Sequence, residues 1–190
     1  FYMDAFSGQG YNHMLDHCLA SVDDGGTYFE VGGSGGGYGL TAVEFSCSTP
    51  LGNFDTLTGT TFLKNSGLTG ILNFVGGRNE GVSTVLHSVL GNLDMHGKIT
   101  FRGVSFDGMT STQNRPLIKT TGENASYTCR FEDCLFDVLP QDAAKAEFSV
   151  KTGIAGDDTR YDFERCALGS FSNVRVQTSN SPLSQVVFTD

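Results

Sequence analysis

Tryptophan is absent from this sequence, and lysine and arginine are scarce. The 12 basic residues stand against 21 acidic ones, which gives a formal net charge of −9. A chain of that charge repels the phosphate backbone of a nucleic acid, so nucleic acid is excluded as the expected partner. The sequence also lacks any apolar run near the roughly 18 residues that a membrane span requires, so we expect no membrane partner.

Cysteine is present, but in no pattern typical of a metal site. The five cysteines include no Cys-x-x-Cys pair, and no histidine stands at the spacing of a zinc ligand. Their odd number argues against a fully paired disulfide framework, and free thiols are among the most buried side chains. We therefore expect the cysteines to be small core residues, and we expect no metal and no cofactor.

The length of the chain fits one domain with a sizeable core, so residues 1–190 are expected to form a single domain. Because the sequence opens at Phe1 rather than at methionine, we expect it to be a processed or truncated piece of a longer chain. Six glycines lie between positions 32 and 39. This loop contains no Gly-Lys-Ser/Thr, so it does not predict a phosphate-binding loop.

Residues 11–23 predict a short amphipathic helix. The apolar positions are spaced three, one, three, one and three residues apart, which is the spacing of one helix face. They are Tyr11, Met14, Leu15, Cys18, Leu19 and Val22. From residue 27 onward the sequence instead alternates in short runs bounded by turn residues, which predicts strands as far as residue 190.

Three segments repeat one eight-residue pattern: "TFRGVSFD" (100–107), "RFEDCLFD" (130–137) and "DFERCALG" (162–169). Every aligned column that repeats is apolar. The columns are Phe101, Phe131 and Phe163; Val104, Cys134 and Cys166; and Phe106, Phe136 and Leu168. A straight strand would place the first and second columns on opposite faces, so the chain must bend between them. Self-similarity of this kind predicts stacked coils around one core.

These coils resemble the rungs of the right-handed parallel β-helix (pectate-lyase-like) superfamily, in particular its phage tailspike and adhesin type. The resemblance implies an all-β fold, a right-handed parallel β-helix with a short N-terminal capping α-helix at about 11–23 and coils over 27–190. The family often places asparagine at its corners, whereas this chain has Gly103, Asp133 and Arg165 there.

Members of this superfamily include polysaccharide lyases, glycoside hydrolases, tailspikes and non-catalytic adhesins, so function depends on a site. Glycosidic cleavage requires two nearby carboxyl groups, one of them protonated. Glu132 and Glu164 would stack on adjacent coils, and Asp137 is a further candidate. His96 is a candidate for proton transfer, because Asp94 and Lys98 share its strand face.

Binding is the alternative to catalysis. Asp94 and Lys98 are candidate ligand-binding residues, and Tyr127 and Tyr161 are candidate aromatic platforms for a sugar. We expect a non-catalytic structural or receptor-binding component of a phage or virus tail, spike or other extracellular assembly. We expect it to be a homotrimer that contacts carbohydrate at the virion surface or outside the cell. The alternatives are a polysaccharide lyase or glycoside hydrolase of this fold, and a shell protein without a ligand.

Overall fold

The computed structural model describes residues 2–5, 11–33, 37–49, 54–65, 69–89, 95–121, 125–152, 158–177 and 184–190. In these residues the chain forms twenty strands, numbered β1 to β20 in chain order, and one 3-10 turn at Pro140–Asp142. The strands build three parallel sheets, and the predicted parallel β-helix is confirmed. Within the same residues, no helix has the length and apolar character needed to cross a membrane.

The chain visits the three sheets in the same order in every coil. Sheet 1 contains β1 (Tyr2–Ala5), β4 (Thr27–Gly33), β7 (Thr60–Asn65), β10 (Val82–Ser88), β13 (Ile118–Thr120), β16 (Glu147–Lys151) and β19 (Asn173–Gln177). Sheet 2 contains β2 (Tyr11–Asp16), β5 (Gly37–Val43), β8 (Thr69–Val75), β11 (Met95–Arg102), β14 (Ala125–Glu132), β17 (Asp158–Glu164) and β20 (Gln185–Thr189). Sheet 3 contains β3 (Leu19–Ser21), β6 (Ser46–Ser48), β9 (Arg78–Glu80), β12 (Ser105–Asp107), β15 (Leu135–Phe136) and β18 (Ala167–Leu168).

The repeated phenylalanines form one stacked column inside the coils, as the sequence predicts. Phe101 pairs in register with Phe131, and Phe131 pairs with Phe163. Their ring centroids lie 4.8 Å and 4.7 Å apart, and the interplanar angles are 7° and 5°. Phe74 and Phe188 extend the column at its two ends. Because these rings lie at the spacing of adjacent strands, stacking adds to the stabilisation from burial.

The second and third predicted columns also lie inside the coils, except that Leu168, at the end of the third column, is 37% exposed. Phe106 stacks on Phe136 at 5.5 Å. The Sγ atoms of Cys134 and Cys166 each hydrogen-bond to backbone carbonyls of the coil interior. All five cysteines are free thiols. Cys47, Cys129 and Cys134 are buried core residues, as predicted, whereas Cys18 and Cys166 are partly buried and pack against the core.

The bend between sheet 2 and sheet 3 contains one corner residue in the left-handed region, and in one coil Gly77 follows the corner residue Gly76 with a positive φ of its own. The φ angle of this corner residue is positive in six successive coils: His17 (48°), Glu44 (48°), Gly76 (67°), Gly103 (61°), Asp133 (53°) and Arg165 (50°). Each corner N–H donates to a carbonyl of the following coil, for example from Gly103 to Glu132 at 2.8 Å. The corner therefore turns the chain without interrupting the stacking of backbone hydrogen bonds.

The predicted N-terminal helix is wrong. Residues 11–23 form β2 and β3, and β2 pairs with β5 over six residues. Leu15 and Cys18 pack against the core, whereas Met14 and Leu19 are 69% and 81% exposed. The corner at His17 brings residues three apart to the same side of the chain. Apolar residues three apart therefore occur on one face of a helix and also on the two sides of a corner between strands. The spacing alone does not distinguish the two structures.

Candidate functional site

The outer face of sheet 2 is organised in columns, because its strands pair in parallel and in register. Three columns of outward side chains run across the strands. They are Val43, Val75, Arg102, Glu132 and Glu164; Thr41, Asn73, Thr100, Arg130 and Asp162; and Ile71, Lys98, Thr128 and Arg160. Neighbours in a column lie about 4.8 Å apart, so adjacent side chains contact each other directly.

In the later coils, oppositely charged side chains of this face form a continuous set of ion pairs that we call the ion ladder. Its members, in order of contact, are Arg102, Glu132, Arg130, Glu164, Arg165 and Asp133. Glu132 accepts from Arg102 Nε at 2.6 Å and from Arg130 Nε at 2.9 Å. The Glu132 side chain is only 8% exposed. The two glutamates predicted to stack are therefore brought together, but a shared arginine lies between their carboxylates.

The ion ladder favours ionised carboxylates. A hydrogen bond from Arg130, followed by one from Arg165, lowers the pKa of Glu164 below its usual value. A hydrogen bond from Arg165 lowers the pKa of Asp133 in the same way. A general acid must hold a proton near neutral pH, which requires a raised carboxyl pKa. The surroundings of Glu164 act in the opposite direction.

Asp137 lies beyond the corner, after β15 in sheet 3, whereas Glu132 ends β14 in sheet 2. Its carboxylate accepts from the backbone N–H of Val138 at 2.8 Å and of Ser170 at 3.2 Å. These bonds tie the turn after β15 to the turn after β18. Asp137 therefore has a structural role in the turn and does not join the two glutamates.

Tyr127 and Tyr161 are interior residues, 5% and 0% exposed. Their hydroxyl groups contact each other, Ser88 donates to Tyr127 at 2.9 Å, and Thr120 lies 3.0 Å from the Tyr161 oxygen. Burial raises the pKa of Tyr127 to about 12. Neither ring presents a face to solvent on which a sugar could stack. Their inward position follows from the period of two that they share with the phenylalanine column.

Lys98 is exposed on the outer face of sheet 2. His96 lies on the same strand, where its backbone pairs with Ser126. Asp94 and the side chain of His96 lie outside the described residues. The proposed grouping of these three side chains therefore stays a prediction.

A groove with a volume of about 330 Å³ lies on sheet 2 where the uncharged coils meet the ion ladder. Its floor is a column of short polar side chains, Thr41, Asn73 and Thr100. One wall contains Val75, Arg102 and Glu132, the other contains Lys98, and Arg130 closes one end. The groove exists because short side chains stand between columns of longer ones.

The polar groups of the groove floor are available to a ligand. The side chains of Thr41, Asn73 and Thr100 make no hydrogen bond to another residue in the described ranges, and Lys98 makes no ion pair there. Sequence reasoning identified Lys98 but missed the floor. The floor could have been found from the strand register, which places these three residues in one column. The sequence allows the register to be assigned only for the three most similar coils.

A second cleft of about 410 Å³ lies between the loops that precede β7 and β13. Arg115 donates to the backbone carbonyls of Phe54 and Leu57 and lies 5.2 Å from the centroid of the Phe54 ring. Lys145 pairs with Asp55 at 2.6 Å. These charged groups are occupied in holding the loops together, which distinguishes this cleft from the groove on sheet 2.

Across the part of the chain that the structure describes, no group of histidine, cysteine, aspartate and glutamate side chains is arranged to hold a metal ion. No family model, curated protein or solved structure matches the chain.

Proposed function

We propose that the protein is a non-catalytic β-helix domain that binds carbohydrate in the groove on sheet 2. In this proposal it is a structural or receptor-binding component of an extracellular assembly, such as the tail or spike of a phage or virus. The observation that carries the proposal is the column of unpaired polar side chains on the groove floor.

The floor suits a ligand with many hydroxyl groups. A threonine hydroxyl and an asparagine amide each donate and accept hydrogen bonds, as sugar hydroxyls do. Thr41, Asn73 and Thr100 repeat these groups at the spacing of the strands, about 4.8 Å. A linear saccharide lying along the column meets a new polar group on each coil. The sheet holds these groups in place, so binding orders few side chains.

The ion ladder supports a binding role over a hydrolytic one. Glu132 and Glu164 both contact Arg130, and the pKa of Glu164 is lowered. Glycoside hydrolysis by two carboxyl groups needs one of them protonated at working pH. The carboxylates on this face instead hold arginines in place beside the groove.

Binding is tested by titrating a panel of neutral and acidic oligosaccharides and comparing variants by calorimetry. We expect Asn73→Ala combined with Thr100→Ala to weaken binding by about tenfold or more, since two hydrogen bonds to the ligand are lost. Thr128→Ala is the matched control, because Thr128 lies on the same face outside the groove lining. We expect its affinity to stay within about twofold of the unmodified protein.

Two results would overturn the proposal. One is a lack of binding to every member of the panel. The other is turnover in a reducing-end assay that Glu132→Gln or Glu164→Gln abolishes, since that would establish the lyase or hydrolase alternative. The homotrimer stays a prediction, which light scattering coupled to size exclusion checks; a species of the chain mass, 20.3 kDa, would contradict it.

A further inference from the structure

We propose that Lys98, Thr100 and Arg102 form an oxyanion-binding site in the groove, so that the ligand carries a carboxylate or a sulfate ester. The inference rests on the proposed function for the carbohydrate that bears this group. It follows from three features of the groove: its charge, the unused hydrogen-bond donors of two of its cations, and the placement of the three proposed residues on one strand.

The charge of the groove differs in sign from that of the chain. The whole chain carries a formal charge of −9. The groove is lined by three cations, Lys98, Arg102 and Arg130, and by one anion, Glu132. A concave surface with excess positive charge on an acidic protein attracts an anionic ligand to that place rather than to the surface in general.

Two of the three cations have donors to spare. Lys98 is exposed and has no ion-pair partner among the described residues. Arg102 uses only Nε, toward Glu132, and its side chain is 61% exposed. Arg130 differs, because its Nε and Nη2 atoms are held by Glu132 and Glu164. The terminal nitrogens of Arg102 and the ammonium of Lys98 are therefore the groups that can bind an anion.

The three residues stand at alternate positions of β11, so their side chains leave the same face of sheet 2. Lys98 and Arg102 flank Thr100, each about 6.6 Å from it along the strand. An oxyanion above Thr100 accepts from its hydroxyl and from the long cationic side chains on both sides. Hydrogen bonds between charged partners are roughly twice as strong as neutral ones.

Glu132 prepares Arg102 for this role. Its carboxylate holds Nε of Arg102 at 2.6 Å and is itself fixed by Arg130. The guanidinium plane is thereby oriented before the ligand arrives, which reduces the entropy lost on binding. Arg102 is a ligand-contacting residue in this scheme, and Glu132 is a positioning residue.

The first test titrates the protein with inorganic sulfate. Binding is detected from the NMR chemical shifts of the β11 backbone amides. We expect Lys98→Gln and Arg102→Gln each to weaken sulfate binding by about tenfold. Lys98→Arg should retain it, because the charge is kept. Lys151→Gln is the matched control, because Lys151 is an exposed lysine on sheet 1. A thermal melt of each variant verifies that the exposed substitutions leave the fold intact.

The second test compares one oligosaccharide in neutral, carboxylated and sulfated forms, which separates the two sources of the oxyanion. We expect the charged forms to bind at least about tenfold more tightly at low salt, with the advantage falling as salt screens it. Equal affinity for the neutral form, unchanged by Lys98→Gln, would overturn this inference and leave the proposed function standing. Sulfate binding that depends on Lys98, without binding of any glycan, would support the oxyanion site and overturn the proposed function.

Discussion

The coils before β11 and the coils from β11 onward follow the same backbone path but fill it differently. In the later coils Phe101, Phe131 and Phe163 stack nearly parallel. In the earlier coils the same column holds Leu15 and Ala42 before it reaches Phe74, and the rings that pack beside Ala42 meet at large angles. The ring centroids of Phe29 and Phe45, for example, lie 4.5 Å apart, and the interplanar angle is 60°.

Volume is redistributed within each coil of the earlier region. Ala42 is followed three residues later by Phe45, whereas Phe74 is followed at the same position by Gly77. A large residue in one column thus accompanies a small residue in the next. The comparison shows that the strand pairing and the corner conformation define the coil, while the side chain at any one column can change if the total volume is kept.

The outer face of sheet 2 shows the same division. Its earlier coils present Thr41, Val43 and Ile71, whereas its later coils present the ion ladder. The groove lies where these two surfaces meet. The earlier coils supply most of the floor and Val75 of one wall, and the later coils supply the rest of the walls and the closed end.

The largest expected effect tests the stacked column of the later coils. Phe131→Ala removes a ring that is fully buried between two stacked neighbours, and we expect a loss of about 3–5 kcal/mol in the free energy of unfolding. Phe188→Ala is the control in the same column, where the ring is 46% exposed, and we expect less than half that loss. Urea denaturation measures both. Equal losses would show that the burial of a ring within the column does not determine how much it contributes to stability.

The next effect contrasts glycines near the corner in the two regions. A Cβ on Gly77 would lie 2.0 Å from the carbonyl oxygen of Phe45, a backbone atom that cannot move aside, whereas a Cβ on Gly103 meets nothing within 4 Å. We expect Gly77→Ala to cost about 3 kcal/mol, because the steric overlap adds to the strain of its positive φ of 89°. Gly103→Ala should cost about 1 kcal/mol, from its positive φ alone. A reversal of this order in thermal melts would contradict the close approach of Gly77 to the Phe45 carbonyl.

A third effect probes the ion ladder. Glu132→Gln leaves Arg102 and Arg130 facing a neutral amide, and because the Glu132 side chain is 8% exposed, we expect a loss of about 2 kcal/mol in stability. The control is Asp133→Asn, at an exposed pair with Arg165, for which we expect a smaller loss because solvent screens the pair. If the two substitutions lower the free energy of unfolding equally, then the burial of an ion pair does not determine its contribution to stability.

A smaller effect, of opposite sign, concerns the earlier coils. Asn79 is fully buried in the column that continues as Phe106 and Phe136, and its Oδ1 atom has no hydrogen-bond partner. Asn79→Leu removes this unsatisfied oxygen together with one long hydrogen bond, 3.4 Å from Asn79 Nδ2 to the Ser105 carbonyl. Because the lost bond is weak, we expect a gain of about 1 kcal/mol in the free energy of unfolding. Denaturation of both proteins at one pH measures the change. A loss of stability would show that Asn79 is required at its position.

The smallest effect is the pH dependence that Glu164 contributes. Its pKa is lowered in the folded protein from an ordinary value of 4.5. The stabilisation is therefore present above pH 4.5 and is lost as the pH falls through the lower folded value. We expect Glu164→Gln to unfold with a weaker dependence on pH below 4.5 than the unmodified protein. An unchanged slope would contradict the role of Arg130 and Arg165.

The sequence was sufficient to predict the stacked coils where the columns contain like residues. Phe101, Phe131 and Phe163 are identical, so the repeat and its bend can be recognised and the structure confirms them. The earlier coils carry Leu15, Ala42 and Phe74 in the same column, and no residue type recurs there. This difference hid their coils and allowed residues 11–23 to be interpreted as a helix.

The candidate site could be predicted only in part for the same reason. Glu132 and Glu164 fall in recognisable copies, so their adjacency could be predicted, although the arginine between them could not. Thr41 and Asn73 belong to coils whose register was not visible. Tyr127 and Tyr161 are predicted as sugar platforms because they stand near predicted loops. Their hydroxyl groups instead have hydrogen-bond partners inside the coils, which allows both rings to be buried.

The corner residues have a consequence for the length of the groove. Each described strand pairs with the strands of the coils directly before and after it, and each coil repeats the same turn. Copying the segment from one corner to the next, for instance residues 45–76, adds one floor side chain and extends the track by about 4.8 Å. On the proposed function, the length of saccharide that the groove accepts would therefore change in whole steps of one coil.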